Sequence, residues 1–366
     1  MASKIYLDCN ATAPVRPEAA QAMQELLAVP ANPSSVHAFG REAKKYLERA
    51  RKTIAEAVSA WPNEIIFTAS GTEANATALH GFSGRRVLTS AVEHSSVLKQ
   101  LLRKEIIPAT SSGIINLSAL DVMLAADSTP ALVSVMLANN ETGVIQPLAE
   151  ISAICKRHNA LLHCDAVQAL GKIPVDFGAL GTDMLTLSGH KCGGPVGAAA
   201  LVLRRDLAMV PLLAGGGQEL GRRAGTENVA AIAGFAKVVE MIDLAQMQRL
   251  RRWLDGMEQE MEAGGGAVFG KDAPRLPNTS CIAMPGVSNE VQLMDFDLKG
   301  FAVSAGSACS SARVEVSHVL LAMGVPKALA SSAIRVSGGW ATTEQEIRRF
   351  AEAWQQMAAR LAKKAG

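Results

Sequence analysis

Short apolar runs alternate with longer amphipathic stretches over the first two thirds of the chain. The runs at 64–68 (EIIFT), 86–90, 105–108, 132–137 (LVSVML), 160–164 (ALLHC), 184–188 (MLTLS) and 197–203 (GAAALVL) predict seven strands. Helical periodicity between them predicts helices over 17–29, 40–60, 72–82, 94–104, 117–126 and 147–158. The 40–60 segment has the clearest amphipathic period, and Trp61-Pro62 ends it. Strands alternating with helices imply an α/β fold with a mostly parallel sheet. A long helical pattern then covers 226–262 until Gly264-Gly265-Gly266 breaks it. Strands near 278–284, 301–304 and 333–337 and helices near 289–299, 313–323 and 343–364 follow, the pattern of a second, smaller α/β domain. The expected division is a large domain over 13–246 and a small one made of 1–12 and 247–366, with the boundary inside the long helix.

Composition narrows the function classes. A chain of 366 residues with 49% hydrophobic residues can bury a large core. Net charge is +2 and basic runs are as short as Arg251-Arg252, which argues against nucleic acid as a main partner. The apolar runs are strand-sized, well below the ~20 residues of a membrane helix. Met1-Ala2-Ser3-Lys4 lacks a signal-peptide pattern, so the expected location is the cytoplasm. The six cysteines, at 9, 155, 164, 192, 281 and 309, form no C-x-x-C pair, and no metal site is expected. Cys155 and Cys164 read as packing residues. Cys309 differs, because it sits in a loop of small residues, 304–312.

The chemistry-bearing residues gather at the ends of the apolar runs. Lys191 follows the strand 184–188 through Ser188-Gly189-His190, and Asp165 follows the strand 160–164. A lysine so placed can form a Schiff base with pyridoxal phosphate (PLP), and an aspartate can keep the pyridinium nitrogen protonated; together they form an electron sink. Ser70-Gly71-Thr72-Glu73 joins a strand to a helix and offers free N–H groups to a phosphate, although by itself such a turn reads as an ordinary helix cap. Ser188 and His190 stand as further phosphate donors. Gln168, a turn beyond Asp165, could reach a ring substituent, and Asn139-Asn140-Glu141-Thr142-Gly143 offers a second amide at the same sheet edge, although Asn and Gly there also suit an ordinary turn. His94, after the strand 86–90, could stack on the ring and move protons. No G-x-G-x-x-G follows a strand, which removes a dinucleotide reading.

Eight blocks stand in order along the chain: ANPSSVHAFGR (31–41), FTASGTEAN (67–75), EHSSVL (93–98), NNETGVIQP (139–147), DAVQALGKIPVDF (165–177), SGHKCGGPVG (188–197), RRAGTEN (222–228) and SAGSACSSA (304–312). Together they resemble the cysteine desulfurases of the class V aminotransferase group, within fold type I of the PLP enzymes. The resemblance runs from Tyr6-Leu7-Asp8 and Asn10-Ala11-Thr12 to Arg335-Val336-Ser337. It implies that Lys191 carries PLP and later acts as base at the substrate Cα, and that Asp165 pairs with the ring nitrogen. Gln168 and Asn140 would contact the ring or its phenolic oxygen, and His94 would stack on the ring as acid–base. Gly71, Thr72, Ser188 and His190 would bind the phosphate. Thr226 would reach the phosphate of a neighbouring subunit, which implies a homodimer with shared sites. Asn32 and Arg335 would hold the substrate carboxylate, for which a guanidinium fork is suited.

The implied reaction turns L-cysteine into L-alanine, with sulfur passed as a persulfide on Cys309 to an acceptor protein of unknown identity. A thiolate that visits the cofactor and then an acceptor needs a mobile tether, and the small-residue loop supplies one. Selenocysteine lyase, or another aminotransferase-type reaction on the same frame, is the alternative. A non-catalytic binding protein on this fold is disfavoured by the presence of Lys191, Asp165 and Cys309 together. The chain departs from the family pattern at Leu220, where relatives carry arginine, and at Cys9, read as packing.

Overall fold

The computed structural model describes residues 4–100, 102–306 and 315–365. Its main sheet has seven strands, in the spatial order 65–68, 199–203, 184–188, 161–165, 131–136, 86–90 and 105–107. Strand 199–203 runs antiparallel to both its neighbours, and the other neighbouring pairs are parallel. Strands 131–136, 161–165, 184–188 and 199–203 are buried at every residue. Helices on both faces explain why these strands read as continuous apolar runs rather than as alternating ones. The parallel order sends Asp165, Ser188 and the turns after 86–90 and 131–136 toward one edge of the sheet, where open α/β sheets bind ligands.

Around this sheet lies one hydrophobic core, which includes Leu47, Ile54, Phe67, Val133, Leu162, Leu187 and Phe235. A second core contains Ile5, Leu7, Met247, Leu250, Leu254, Phe296, Phe301, Phe350 and Trp354. Phe350 packs against Phe296 and Phe301, with ring centroids 4.9 and 5.5 Å away. Two small sheets accompany it: 267–268, 279–283 and 333–337 pair antiparallel, and Ile5–Tyr6 pairs in parallel with Phe301–Ala302.

The helical pattern over 226–262 is two helices, Val229–Glu240 and Leu244–Ala263. Asp243 makes the break: its Oδ1 accepts from the N–H groups of Ala245 at 2.9 Å and Gln246 at 3.2 Å. That side chain satisfies donors that would otherwise be orphaned at a new helix start. Apolar periodicity runs through the break because each helix buries a face, the first in the main core and the second in the other. The 94–104 helix is also shorter, Ser95–Leu98, since the chain must be extended by Glu105 to pair with Leu88.

The N-terminal segment ties the two cores together. Ile5 and Leu7 are buried in the second core, and Cys9 N–H donates to the Ser337 carbonyl at 3.0 Å. The next three residues, Asn10 to Thr12, enter the cleft beside Lys191.

Candidate active site

A glycine turn opens the helix Gly71–His80 directly after strand 65–68. Ser70 Oγ accepts from Glu73 N–H at 3.1 Å, which leaves the N–H groups of Gly71 and Thr72 available at the helix start. Glu73 is held in turn, taking Arg223 Nε at 2.7 Å and Ala69 N–H at 2.9 Å. A methyl group on Gly71 would meet Val167 Cγ2 at 2.9 Å and Ser188 Cβ at 3.7 Å. The turn therefore lies hard against the ends of strands 161–165 and 184–188. Ser188 Oγ is buried with no hydrogen-bond partner among the described residues. A buried hydroxyl without a partner is costly, and beside free helix N–H groups it matches a phosphate. On this test the cradle fits the PLP phosphate.

His190 stands next to it, with Nδ1 3.2 Å from Thr12 Oγ1. Burial, assisted by Lys191 and Lys172, pulls its pKa down to about 4, so the ring is neutral near pH 7.

Asp165 ends strand 161–165 and is 6% exposed. Its Oδ1 accepts from Val167 N–H at 3.0 Å and its Oδ2 from Asn75 Nδ2 at 2.7 Å. Asn75 Nδ2 also donates to Ser96 Oγ at 2.9 Å, and Ser96 Oγ lies 2.8 Å from His94 Nδ1. Ser96 N–H donates to the same Nδ1 at 3.1 Å, which makes Nδ1 the acceptor and puts the ring proton on Nε2. Burial lowers the His94 pKa; Asp165 opposes this, and Lys191, His318 and Arg335 add to it. His94 is thus a neutral imidazole whose orientation is fixed through Ser96 and Asn75 to Asp165.

Lys191 Nζ donates to the carbonyl oxygens of Asn10 at 2.8 Å and Ala11 at 2.7 Å. The Asn10 carbonyl also accepts from Gln168 Nε2 at 2.9 Å. Asn10 Nδ2 reaches Thr279 Oγ1 at 2.9 Å and the Asn140 carbonyl at 3.1 Å. Arg335 donates to that same carbonyl at 3.0 Å and to Asp8 Oδ1 at 2.6 Å. Its Nε is buried without a partner among the described residues, a donor facing inward for an anionic group.

Lys191, Gln168, Asn140 and Arg335 are thus linked through Asn10, and Asp165 and His94 through Asn75. Gly71, Thr72, Ser188 and His190 flank them. Asn32 and Thr226 are exposed and join neither network; Asn32 Oδ1 accepts from Ser34 N–H, 2.9 Å away in its own loop. Cys309 lies outside the described residues. Asn10, Asn75, Asp8 and Lys172 were not singled out from the sequence. Asn75 stands one helical turn after Gly71 and Lys172 one turn after Gln168, spacings that would have placed each on the site-facing side of its segment.

The Aminotransferase class-V family description matches residues 5–350. "Cysteine desulfurase IscS" of Dictyoglomus turgidum is 41% identical over 95% of this chain and 92% of that protein. "IscS-like cysteine desulfurase" of Mycobacterium tuberculosis is 38% identical over 93% of each. The solved NifS-like protein from Rickettsia africae superposes with a TM-score of 0.91 at 36% identity, covering 96% of this chain and 99% of that one. Matches of this extent, on a sheet edge that presents a lysine, an aspartate and a phosphate cradle together, place the chain in the class V aminotransferase family, among its cysteine desulfurases.

Proposed function

We propose that this protein is a PLP-dependent cysteine desulfurase that converts L-cysteine to L-alanine and carries the sulfur as a persulfide on Cys309. The observation that carries the reading is the placement of Lys191 and Asp165 beyond neighbouring strands, with the Gly71 turn and the unpartnered Ser188 hydroxyl beside them. Bound there, PLP supplies an electron sink. The relatives' named activity supports cysteine as substrate.

The chain's own residues divide the work. Gly71, Thr72, Ser188 and His190 would hold the PLP phosphate, Asp165 would pair with the ring nitrogen, and Gln168 and Asn140 would contact the ring face or its phenolic oxygen. His94 would stack on the ring, with its ring proton on Nε2. Lys191 anchors the cofactor and then takes the Cα proton of the substrate. Arg335, with Asn32, clamps the substrate carboxylate. Cys309 thiolate attacks the substrate sulfur: an S–S bond forms, the Cβ–S bond breaks, and its electron pair stays with the carbon skeleton, which gains protons to become alanine.

The same proposal includes a homodimer in which Thr226 serves the partner's phosphate. Thr226 and Asn32 are exposed in the single chain, as are Val36 and Leu220 at 89% and 75%, which suits surfaces that meet a second copy. The chain divides into 13–246 and 1–12 with 247–366, a division that the two cores support. Its thiol acceptor is a protein, with iron–sulfur cluster assembly the favoured use. The cytoplasm is the proposed location, since the described cysteines are free thiols. No helix among the described residues is long and apolar enough to cross a membrane.

Incubation with L-cysteine, and separately with L-selenocysteine, tests the reading by alanine yield and by the mass of Cys309. Lys191→Ala should abolish the visible absorbance of bound PLP. Cys309→Ser should keep that absorbance and lose the persulfide. Undiminished sulfur release by Cys309→Ser would overturn the role of Cys309.

A further inference from the structure

Lys172 has no part in the reaction as proposed, yet it lies beside Lys191. It is 4% exposed. Its Nζ donates to Gln168 Oε1 at 2.5 Å and to Asn10 Oδ1 at 2.8 Å. The main-chain oxygen of the same Asn10 receives Lys191 Nζ and Gln168 Nε2. Two lysine amines therefore share one asparagine, one on its side chain and one on its backbone.

Amide groups present an oxygen and a nitrogen of similar shape, and only their partners fix which faces where. An amine that donates to Gln168 Oε1 turns Gln168 Nε2 toward Asn10 and the cleft. Donation to Asn10 Oδ1 fixes Asn10 the same way and leaves its Nδ2 for Thr279 and Asn140. Lys172 thus sets the direction of the Gln168 amide, and shares with Asn278 Nδ2, 3.0 Å from Asn10 Oδ1, the setting of Asn10.

Its electrostatic setting is one-sided. Among the described residues no carboxylate is hydrogen-bonded to it. Arg16 and Asp243 line the small cavity that it shares with Lys191, Cys9 and Cys192, and Asp243 is spent on its helix cap. Burial first, then Lys191, pushes the Lys172 pKa down to about 7; Arg335 adds to this, and Cys9 and Cys192 oppose it. Coupling between two titrating groups is reciprocal. A proton on Lys172 disfavours one on Lys191.

We propose that Lys172 is a positioning residue for Lys191 and Gln168, holding the Gln168 amide between itself and Asn10 and, in its protonated form, disfavouring a proton on the Lys191 nitrogen. The proposal rests on the reading of Lys191 as the PLP-bearing base. It goes beyond that reading by placing a second lysine behind the first.

The test is a pH titration of the visible absorbance of the PLP-loaded enzyme, in wild type, Lys172→Met, Lys172→Gln and Lys172→Arg. Met removes donors and charge, Gln keeps a donor, and Arg keeps both. The expected result is a titration midpoint about one unit lower in Arg than in Met and Gln, with wild type between them because Lys172 sheds its proton near pH 7, and with the band position moved in Met alone. PLP-loaded Arg and Gln variants with the same midpoint overturn the proposal, whatever their activity. If Met does not fold, the comparison of Gln with Arg decides in the same way. Failure of the parent reading shows separately, as a wild-type enzyme whose visible band survives Lys191→Ala.

Discussion

Asn75 holds Asp165: its Nδ2 donates to Asp165 Oδ2 at 2.7 Å, and the same nitrogen reaches Ser96 Oγ at 2.9 Å. One amide thus orients the carboxylate at the end of a strand and, through Ser96, the ring of His94. Asn75→Ala would leave a buried carboxylate oxygen without that donor, a loss of roughly 1–3 kcal/mol. The expected outcome is a fall in kcat/KM of about ten- to a hundredfold with PLP still bound. Steady-state kinetics beside the visible spectrum would check it; wild-type kcat/KM would remove Asn75 from the orienting role.

Ser188→Ala separates stability from binding. The hydroxyl is buried and unpartnered, so its removal should leave the PLP-free protein as stable as before or slightly more so. The same change should weaken PLP binding about tenfold, since a phosphate donor is gone. Thermal melts without PLP, paired with PLP titrations, give both numbers, and a stability loss with unchanged affinity would contradict the cradle.

Arg51 and Glu219 form a buried pair, with Arg51 Nη1 and Nη2 each 2.8 Å from a carboxylate oxygen, and Phe67 N–H adds a third bond to Glu219. The pair fastens the loop that carries Leu220 to the edge of the main sheet. Arg51→Ala strands Glu219 without its counter-charge and should cost about 3–5 kcal/mol. Urea denaturation measures this directly, and a loss below about 1 kcal/mol would show that the loop relaxes to let water reach Glu219.

Lys172 gives the folded state a distinctive pH response. Its pKa falls from 10.5 to about 7 on folding, so between these values the unfolded chain binds the extra proton. Its contribution to stability therefore rises from pH 7 toward 10.5, by at most about 1.4 kcal/mol per pH unit. Lys172→Met removes this dependence. Wild type should gain stability relative to the variant between pH 7 and 9, read as the difference in denaturation midpoints; a constant difference would mean that Lys172 keeps its proton in the folded state.

All seven strands of the main sheet stand where apolar runs predict them, and its central strands were easiest to see because they are buried on both faces. Lys191 and Asp165 were legible for the same reason, as polar residues ending apolar runs. Asn10, Asn75 and Lys172 were not. Each is an ordinary polar residue in its local sequence, and its role comes from contacts with distant segments, such as Asn10 with Lys191 and Asn278. The break at Asp243 was hidden because periodicity records burial on one face and is blind to which core does the burying.

The parallel pairing of Ile5–Tyr6 with Phe301–Ala302, and the bond from Cys9 N–H to the Ser337 carbonyl, bear on the order in which a growing chain can become functional. Lys191 is synthesised long before residues 301–337, yet the carbonyls of Asn10 and Ala11 that receive it follow directly on Ile5 to Cys9, whose backbone partners come last. A nascent chain with its main sheet complete therefore holds this segment from one side only, through Ala13 N–H to the His190 carbonyl and Arg16 N–H to the Gly193 carbonyl. The strands that clamp the other side of the segment are the last part of the chain to be made, so its docking is completed only when residues 301–337 have joined it.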